Sequence, residues 1–488
     1  MAEEKKLIDI SDQEIEAIYN SGKEATVSFI RVLIDKINEL AITVEKQQQE
    51  INQLKAVINK DSHNSNKPPS SDNPYKKQRT KSLRKKGGKI GGQFGHEGSN
   101  LKQTLDPDYV QKLNPHGKCI CGKNISQAII IGKDIRQVFD LPEIKIQVTE
   151  YQSPVLKCEC GKTHRAIFPS GINSKTQYGN NLKAFVVYLK HYGLMSYERI
   201  EDLIEDFLGQ NISQGTLVNM VQDCAKNIKP FTELIKNALI DSKIVHFDET
   251  GFRIDGTLNW LHSAGNQDFT YYHPHKARGV KAMNDMGILP FFKGIAVHDH
   301  WESYFSYNLC SHSLCNSHHL RELIFFSERD EKWADKIIKC LLDAKDEKNQ
   351  NLHFSDERKK YYRSKLLRLL NEALKIHPEM KKTKKTRGRQ KQSQEHNLLS
   401  RMKNRINDVL RFVFEHFVPF DNNLAERDIR MTKVQQKISG TFRSLSGAYD
   451  FCAIRSYIST ARKQGNSVFE SILKSFNNQM IISLKGAE

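Results

Sequence analysis

The sequence lacks an apolar segment long enough to cross a membrane. A membrane helix needs roughly 20 consecutive apolar residues, whereas AFVVYL, at residues 184–189, is among the longest uninterrupted runs. The N-terminal stretch MAEEKKLIDISDQE is acidic and has no apolar core of the kind found in signal peptides. These absences predict a soluble, cytoplasmic protein with no membrane partner.

Acidic residues are scarce relative to basic ones. Asp and Glu total 57 against 75 Lys and Arg, which gives a formal charge of +18. Such an excess favours polyanionic partners, although a basic composition also occurs in proteins that are merely soluble. The 488 residues exceed what one compact core accommodates, so several domains are expected.

Cysteine is present in a pattern that argues against disulfides. In a cytoplasmic protein, nine cysteines do not form a disulfide framework, but four fall in matching CICG (119–122) and CECG (158–161) pairs. Two glycine-closed turns of this kind, separated by the strand-like stretches AIIIG and IKIQVTEY, predict a structural Zn²⁺ site in a zinc-finger-like module over residues 109–170. The C-x-C spacing is tighter than the commoner C-x-x-C, and four free thiols are the alternative. The predicted ligands are Cys119, Cys121, Cys158 and Cys160.

The N-terminal residues 1–60 contain a heptad pattern. Apolar residues recur at alternating steps of three and four between residues 30 and 58, with one polar interruption at Gln47. The pattern predicts a coiled coil that joins copies of the chain into a homo-oligomer, whereas a helix packed on its own domain is the alternative. The seam comprises Ile30, Leu33, Ile37, Leu40, Val44, Gln47, Ile51, Leu54 and Ile58.

Residues 61–108 are rich in Pro, Ser, Gly and Lys and cannot form a core. Within them, KKQRTKSLRKKGGK (76–89) has eight basic residues and no acid. We predict a flexible basic linker whose lysines, Lys85 and Lys86 among them, contact DNA phosphates. The alternative is a linker that is simply solvated, and the two interpretations are compatible.

Residues 171–240 follow a helical pattern. SYERIEDLIEDFL (196–208) places Ile200, Leu203, Ile204 and Phe207 on one face, Gly209 breaks the helix, and Ser213 can cap the next. The pattern fits a DNA-binding helix-turn-helix and an ordinary helical hairpin equally well. Residues 241–310 then read as β-strands and 311–415 as helices, interrupted by a basic loop at 381–392.

Acidic residues follow two of the predicted strands. KIVHFDET places Asp248 and Glu249 after an apolar run, and GIAVHD does the same for Asp299. Glu426, in the helical FDNNLAER, is the candidate third carboxylate. Three hard oxygen ligands suit Mg²⁺ or Mn²⁺, and two such ions roughly 4 Å apart support phosphoryl transfer. Glu249 is expected to face away from Asp248, because neighbours on a strand point to opposite sides.

Each acid also has a structural interpretation. Asp248 could end a strand, and Asp299 could cap a turn. Glu426 could close a capping box with Asn423 or pair with Arg430 one turn later. The order strand aspartate, strand aspartate, helix glutamate in a basic chain favours the metal site.

Several motifs resemble the DDE transposases of bacterial insertion sequences, most closely the IS66 family. They are HFDETGFRIDG, DHWESY, the C-x-x-H of LCNSHHLREL, and DNNLAERDIR followed by KISGTFRS. NKPPSSD, GGQFGHEG and the paired cysteines resemble that family's linker and zinc-finger segment, so the likeness covers nearly the whole chain. The C-x-C turns and DHW, where the family more often has DGY, depart from its pattern.

The resemblance implies an α/β multidomain protein with an RNase H-like catalytic domain over residues 241–475, a helical insertion at about 311–415, and a C-terminal tail at 476–488. Asp248, Asp299 and Glu426 would be its metal ligands. Cys315 and His318 fit the C-x-x-H motif; His318 would orient DNA or buttress the site, unless it is a packed core residue. Arg427, Arg430, Lys433 and Lys437 would contact phosphates near the scissile bond, with a solvated face as the alternative.

The function implied is that of a bacterial, cytoplasmic, nucleoid-associated DNA transposase. It would bind the element ends, cleave a strand at each end and join the freed 3′-hydroxyl to target DNA, with small accessory proteins of the same element as possible partners. A DNA-binding regulator with a dead RNase H-like domain and a nuclease without strand transfer are the alternatives.

Overall fold

The computed structural model describes residues 11–58, 60, 64–65, 100–350, 353–380, 390–477 and 479. Lys85 and Lys86 lie outside these residues, as does most of the predicted basic linker. The chain divides into two units, one formed by Met1–Lys77, Tyr178–Ser196 and Leu217–Glu488, the other by Gln78–Gln177 and Tyr197–Thr216. Within the described ranges, no helix combines the length and apolar character that a bilayer crossing requires.

Two helices form the N-terminal part of the first unit. Helix α1 (Asp12–Asn20) begins at a capping box, in which Ser11 and Glu14 satisfy each other's backbone amides. Helix α2 (Lys23–Ile58) contains the whole heptad seam, so the helix predicted there is confirmed. The seam is exposed in the single chain: Ile37 and Leu40 keep 62% and 58% of their surface accessible to solvent.

The knuckle segment, residues 100–177 of the second unit, has little regular structure. Strand β1 (Leu156–Lys157) pairs antiparallel with β2 (Thr163–His164). No described side chain of the segment is buried. The strand-like stretches AIIIG and IKIQVTEY, between the cysteine pairs, do not form strands. Their residues alternate as strands do, but an isolated strand without a partner or a core is not stable.

The same unit contains helix α4 (Tyr197–Leu208). Ile200 and Ile204 are fully buried, whereas Phe207, predicted for the same face, is 60% exposed. Gly209 then adopts a left-handed backbone with φ of +61°, and Ser213 accepts a hydrogen bond from the Thr216 amide at 3.4 Å. The break and the cap predicted at these two positions are therefore confirmed.

A five-stranded mixed sheet is the centre of the first unit. Its order is β5-β4-β3-β6-β7: β5, β4 and β3 are antiparallel neighbours, while β3, β6 and β7 run parallel. The strands are β3 (Ile244–Ile254), β4 (Thr257–Gly265), β5 (Thr270–His275), β6 (Ile295–His298) and β7 (Ser311–Leu314).

Helices complete this unit. They are α3 (Asn180–Val187), which continues into a π-turn at Tyr188–Tyr192, α5 (Gln214–Ile240), α6 (Val280–Met286), α7 (Asn316–Ser327), α8 (Lys332–Gln350), α9 (Asp356–Ile376), α10 (Gln394–Asn404), α11 (Ile406–Val409), α12 (Arg411–Phe414), α13 (Asn423–Ser439), α14 (Leu445–Lys463) and α15 (Val468–Phe476).

Two boundaries differ from the sequence prediction. Helix α6 interrupts the stretch predicted as β, and residues 311–314 form strand β7 rather than the start of a helical insertion. A four-residue strand such as SHSL is too short to show a period of its own. It is fixed instead by parallel pairing with β6, so the run of helices begins at Asn316.

Two apolar cores hold these elements. One joins the helices from α7 to α12 with Leu314 of β7, and it includes the fully buried Leu323 and Leu366. The other packs Ile429 of α13 and Phe451 of α14 against residues of β3, β4 and β5. Strand β3 is covered on both faces, because Val245, His246 and Phe247 are all buried.

Candidate active site at the ends of the parallel strands

The two aspartates predicted as ligands lie at the same level of adjacent parallel strands. In the register of β3 and β6, His246 pairs with Val297, and each aspartate lies two residues further along its strand. Asp248 therefore lies within β3 beside Asp299, the residue that follows β6. Parallel neighbours are about 4.8 Å apart, so the register brings the two residues together although 50 residues lie between them.

Asn422 attaches the start of helix α13 to strand β3. Its side-chain amide donates to the carbonyl of Phe247 at 2.8 Å, and its Oδ1 lies 2.7 Å from Nδ1 of His246. The carbonyl of Asn422 accepts from the amide of Glu426, so Glu426 occupies the first turn of the helix. A buried side chain with several hydrogen bonds thus positions the third predicted carboxylate beside the strand that carries Asp248.

Burial raises the pKa of all three carboxyls. For Asp248, burial is the largest cause, followed by the negative charges of Glu249, Asp299 and Glu426. Burial is also the largest cause for Asp299 and for Glu426, although the amide of Trp301 and the guanidinium of Arg321, respectively, partly offset it. Asp248 therefore interacts electrostatically with the other two acids, and its ionisation beside them is unfavourable unless a cation compensates it.

Glu249 belongs to a different environment, as its position on the strand predicts. Its carboxylate is 2% exposed, accepts from Arg278 at 2.7 and 3.0 Å, and accepts from the hydroxyl of Tyr304 at 2.6 Å. The guanidinium of Arg278 lies between the rings of Trp260 and Trp301, at 4.8 and 4.2 Å from their centroids. Glu249 is thus a structural acid with its own cation.

The capping box, one structural alternative for Glu426, is not observed. Asn422, rather than Asn423, is the N-cap of α13, and it makes no side-chain cap bond. The charge of Arg430, the other alternative partner, lowers the pKa of Glu426, but less than that of Arg321 does. The carboxylate pairs with helix α7: Arg321 Nη2 lies 3.7 Å from Oε2, and His318 Nε2 lies 4.0 Å from Oε1. Oε1 is buried and has no hydrogen-bond partner.

Cys315 and His318 lie beside Glu426. Cys315 follows β7, where its amide donates to the carbonyl of His298 and its Sγ accepts from the amide of Asn422 at 3.2 Å. Among the described residues, Cys315, His318 and Glu426 form the one group of three or more Cys, His, Asp or Glu ligand atoms within 4.8 Å of one another. Asp248 and Asp299 do not join that group.

The basic residues that follow Glu426 differ in their surroundings. Arg427, Arg430 and Lys437 are exposed on α13. Lys433 is half-buried and donates to the carbonyl of Gly251 at 2.5 Å, and burial lowers its pKa. Its ammonium attaches α13 to β3, so the phosphate contact predicted for Lys433 would require it to leave this carbonyl.

The two cysteine pairs form matching turns in the knuckle segment. In each turn, the amide of the first cysteine bonds to the carbonyl four residues later, and a glycine with φ of +85° closes it. Hydrogen bonds from the second cysteine of each pair lower the pKa of Cys119 and Cys158. The four cysteines are exposed and do not form a group of the closeness found at Cys315. Zinc binding by them stays a prediction.

Sequence reasoning missed Asn422, Arg278, Tyr304 and Arg321 as site residues. Three of them were visible as letters in the DNN, DHWESY and LCNSHHLREL motifs. Arg278 carried no local signal, because it meets its carboxylate only through the tertiary fold.

A mixed sheet that sets Asp248 beside Asp299, next to a helix with exposed basic residues, is an arrangement that would suit phosphate-bearing substrates. The family model of the transposase IS66 family matches residues 175–450, more than half of the chain. The chain therefore belongs to the transposase IS66 family. A family of unknown function (DUF6444) matches residues 20–102. A comparison with curated proteins found no match.

Proposed function

We propose that this transposase-family protein cleaves DNA at the ends of an insertion sequence and joins them to target DNA, using Asp248, Asp299 and Glu426 as the ligands of catalytic Mg²⁺ or Mn²⁺. The domain that carries them would be an RNase H-like core with a helical insertion. The observation that supports this most strongly is the strand register that sets Asp248 beside Asp299, together with the attachment of α13 to β3 by Asn422, which brings Glu426 to the same strand.

The donor set fits a hard divalent cation. All three residues are carboxylates, burial and like charge disfavour their joint ionisation, and Oε1 of Glu426 is a buried acceptor without a donor. Bound Mg²⁺ would activate a water or a 3′-hydroxyl and stabilise the leaving oxygen of the phosphodiester.

The surrounding residues have supporting roles. Asn422 holds the start of α13 against β3 and thereby positions Glu426 near Asp248. Arg278 and Tyr304 neutralise Glu249, which keeps that carboxylate from competing for the cation. The exposed Arg427, Arg430 and Lys437 would hold the phosphate backbone, a contact that gives affinity and register without reading sequence.

A supercoiled donor plasmid carrying the element ends tests the assignment. Purified protein with Mg²⁺ should nick at the ends and form joined products, and Asp248→Asn, Asp299→Asn and Glu426→Gln should each lower cleavage by about 1,000-fold or more while DNA binding persists. Glu302→Gln is the matched control, because Glu302 is an exposed acid three residues after Asp299.

The outcomes separate the rival functions. Tight binding to the ends without nicking would indicate a DNA-binding regulator, and nicking without joined products would indicate a nuclease. Normal cleavage by Glu426→Gln would remove Glu426 from the set of ligands.

We further propose that α2 self-associates through its seam and that Zn²⁺ orders the knuckle segment. The exposed apolar residues of α2 and the two matching cysteine turns support these assignments. DNA recognition by α4 and α5 stays a prediction of the helical pattern, and a need for small accessory proteins stays a prediction of the family resemblance.

A further inference from the structure

Three side chains with different donor atoms meet at the start of two helices. Cys315 lies between β7 and α7, His318 lies in the first turn of α7, and Glu426 lies in the first turn of α13. One ligand atom from each lies within 4.8 Å of the other two, and His318 Nε2 is 4.0 Å from Glu426 Oε1. Sulfur, nitrogen and oxygen donors thus face one another at one place.

The polar atoms of this cluster are poorly satisfied. Oε1 of Glu426 and Nδ1 of His318 are both buried without a hydrogen-bond partner. Cys315 is 1% exposed, and its sulfur accepts the amide of Asn422. Buried polar atoms are normally paired, so atoms of this kind in one place indicate a missing ligand.

We propose that Cys315, His318 and Glu426 form a Zn²⁺ site, and that zinc bound there inhibits transposition by withdrawing Glu426 from the Mg²⁺-dependent reaction. The inhibitory part rests on the proposed function; the binding part does not. A thiolate and an imidazole beside a carboxylate select zinc over magnesium, which prefers oxygen ligands alone.

Charge and geometry agree with one ion. A thiolate and a carboxylate balance the two positive charges, and a neutral imidazole adds none. Tetrahedral bonds of roughly 2.0–2.3 Å separate ligand atoms by about 3.3–3.8 Å, so ligand atoms that lie within 4.8 Å of one another need to approach by about 1.5 Å or less. Arg321 lies near Oε2 of Glu426, which leaves Oε1 to bind the metal. His318 and Glu426 are 20% and 24% exposed, so water can supply a fourth ligand.

Cobalt spectroscopy tests the site independently of any reaction. Co²⁺ replaces zinc and gives a thiolate-to-metal charge-transfer band only where it binds cysteine. The protein is the full chain with Cys119, Cys121, Cys158 and Cys160 replaced by serine. We expect one equivalent of Co²⁺ to produce the band, Cys315→Ser to abolish it, and His318→Ala to weaken cobalt affinity by at least about 10-fold.

Cys452→Ser is the matched control, since Cys452 is a buried free cysteine of α14 outside the cluster. It should leave the band unchanged. The absence of a band at saturating Co²⁺, or an equal band in Cys315→Ser, would overturn the site. If Cys315→Ser does not fold, the cobalt affinity of His318→Ala decides, and an unchanged affinity overturns the site.

Zinc inhibition tests the consequence on the same background. The zinc concentration that halves Mg²⁺-dependent cleavage, normalised to each variant's own zinc-free rate, should rise at least about 10-fold in His318→Ala and remain the same in Cys452→Ser. Equal zinc sensitivity in both would overturn the inhibitory role. If neither these variants nor the unmodified chain cleaves DNA, the proposed function fails, whereas the cobalt band still decides the metal site.

Discussion

The sheet region, residues 241–477, and the knuckle segment, residues 100–177, both contain many apolar residues but bury them very differently. Ile454 in the sheet region is fully buried, whereas Ile131 in the knuckle segment is 99% exposed. The sheet region has strands and helices that cover one another, while the knuckle segment has one two-residue strand pair. Apolar composition therefore does not make a core; partner elements do, and in the knuckle segment the proposed Zn²⁺ would take their place.

The largest expected effect is that of zinc on the knuckle segment. Structural zinc contributes on the order of 10 kcal/mol to small metal-dependent modules. Zn²⁺ added to chelator-treated protein should protect residues 100–177 from limited proteolysis, read by mass spectrometry of the cut sites. A variant with its four exposed cysteines changed to serine should gain no protection. Equal cutting of the unmodified protein with and without zinc would show that the segment does not depend on the metal.

The seam of α2 is also apolar and exposed, and the next prediction tests whether a second copy of the chain covers it. Ile37→Lys should weaken self-association by about 100-fold, because it places a charge in an apolar interface on both helices. Ile42→Lys is the matched control: Ile42 is 55% exposed and lies outside the seam, against 62% for Ile37. Sedimentation equilibrium measures both. A monomeric unmodified protein, or equal weakening by the two lysines, would contradict the coiled coil.

Truncation of one isoleucine in each region tests the comparison directly. Ile454→Ala should lower the free energy of unfolding by about 3 kcal/mol, because it leaves a cavity in the core of α14. Ile131→Ala should change it by less than about 0.5 kcal/mol, since Ile131 is 99% exposed. Chemical denaturation followed by tryptophan fluorescence measures both. A comparable loss from the two variants would mean that the knuckle segment has a core after all.

Ion pairs should follow the same contrast. Asp428 and Lys463 pair at 2.6 Å with side chains 17% and 16% exposed, whereas Asp134 and Arg136 pair at 3.4 Å with 81% and 89% exposed. Asp428→Asn should lower the free energy of unfolding by about 3 kcal/mol, because it leaves the ammonium of Lys463 in the interior without its carboxylate partner. Asp134→Asn should cost less than about 0.5 kcal/mol. Thermal melts at low and high salt compare them, and equal shifts would refute the contrast.

The smallest expected effect is a gain in stability, whereas the preceding substitutions in the sheet region lower the stability. Burial and neighbouring acids raise the pKa of Asp248, so the folded protein holds this proton more tightly than the unfolded chain does. The ionised carboxylate therefore destabilises the fold fully above the folded pKa, and this destabilisation disappears as the pH falls from the folded pKa to the unfolded pKa.

Asp248→Asn should accordingly raise the melting temperature of the chelator-treated protein at neutral pH, because it removes a carboxylate that burial and the neighbouring acids disfavour. Mg²⁺ and acidic pH should each reduce the difference in melting temperature between Asp248→Asn and the unmodified protein. Glu302→Gln should shift nothing, and a destabilised Asp248→Asn would contradict the repulsion among the acids.

Features that depend on neighbours in the chain could be predicted from the sequence. Helix α2, the break at Gly209 and the cap at Ser213 follow from local patterns, as do the two glycine-closed cysteine turns. The separate environment of Glu249 also followed from strand alternation. The strands expected between the cysteine pairs and the helix expected at 311–314 were wrong, because strand formation depends on a partner strand elsewhere.

The sequence by itself determined the chemical types of the site residues, the helical and turn segments that carry them, and the family to which the chain belongs. Only the tertiary structure decided that Arg278 neutralises Glu249, that Asn422 attaches α13 to β3, and that Cys315 and His318 meet Glu426. The physical reason is distance along the chain. Local patterns encode hydrogen bonds over a few residues, whereas contacts between residues about 100 apart follow from strand register and core packing, which no single segment specifies.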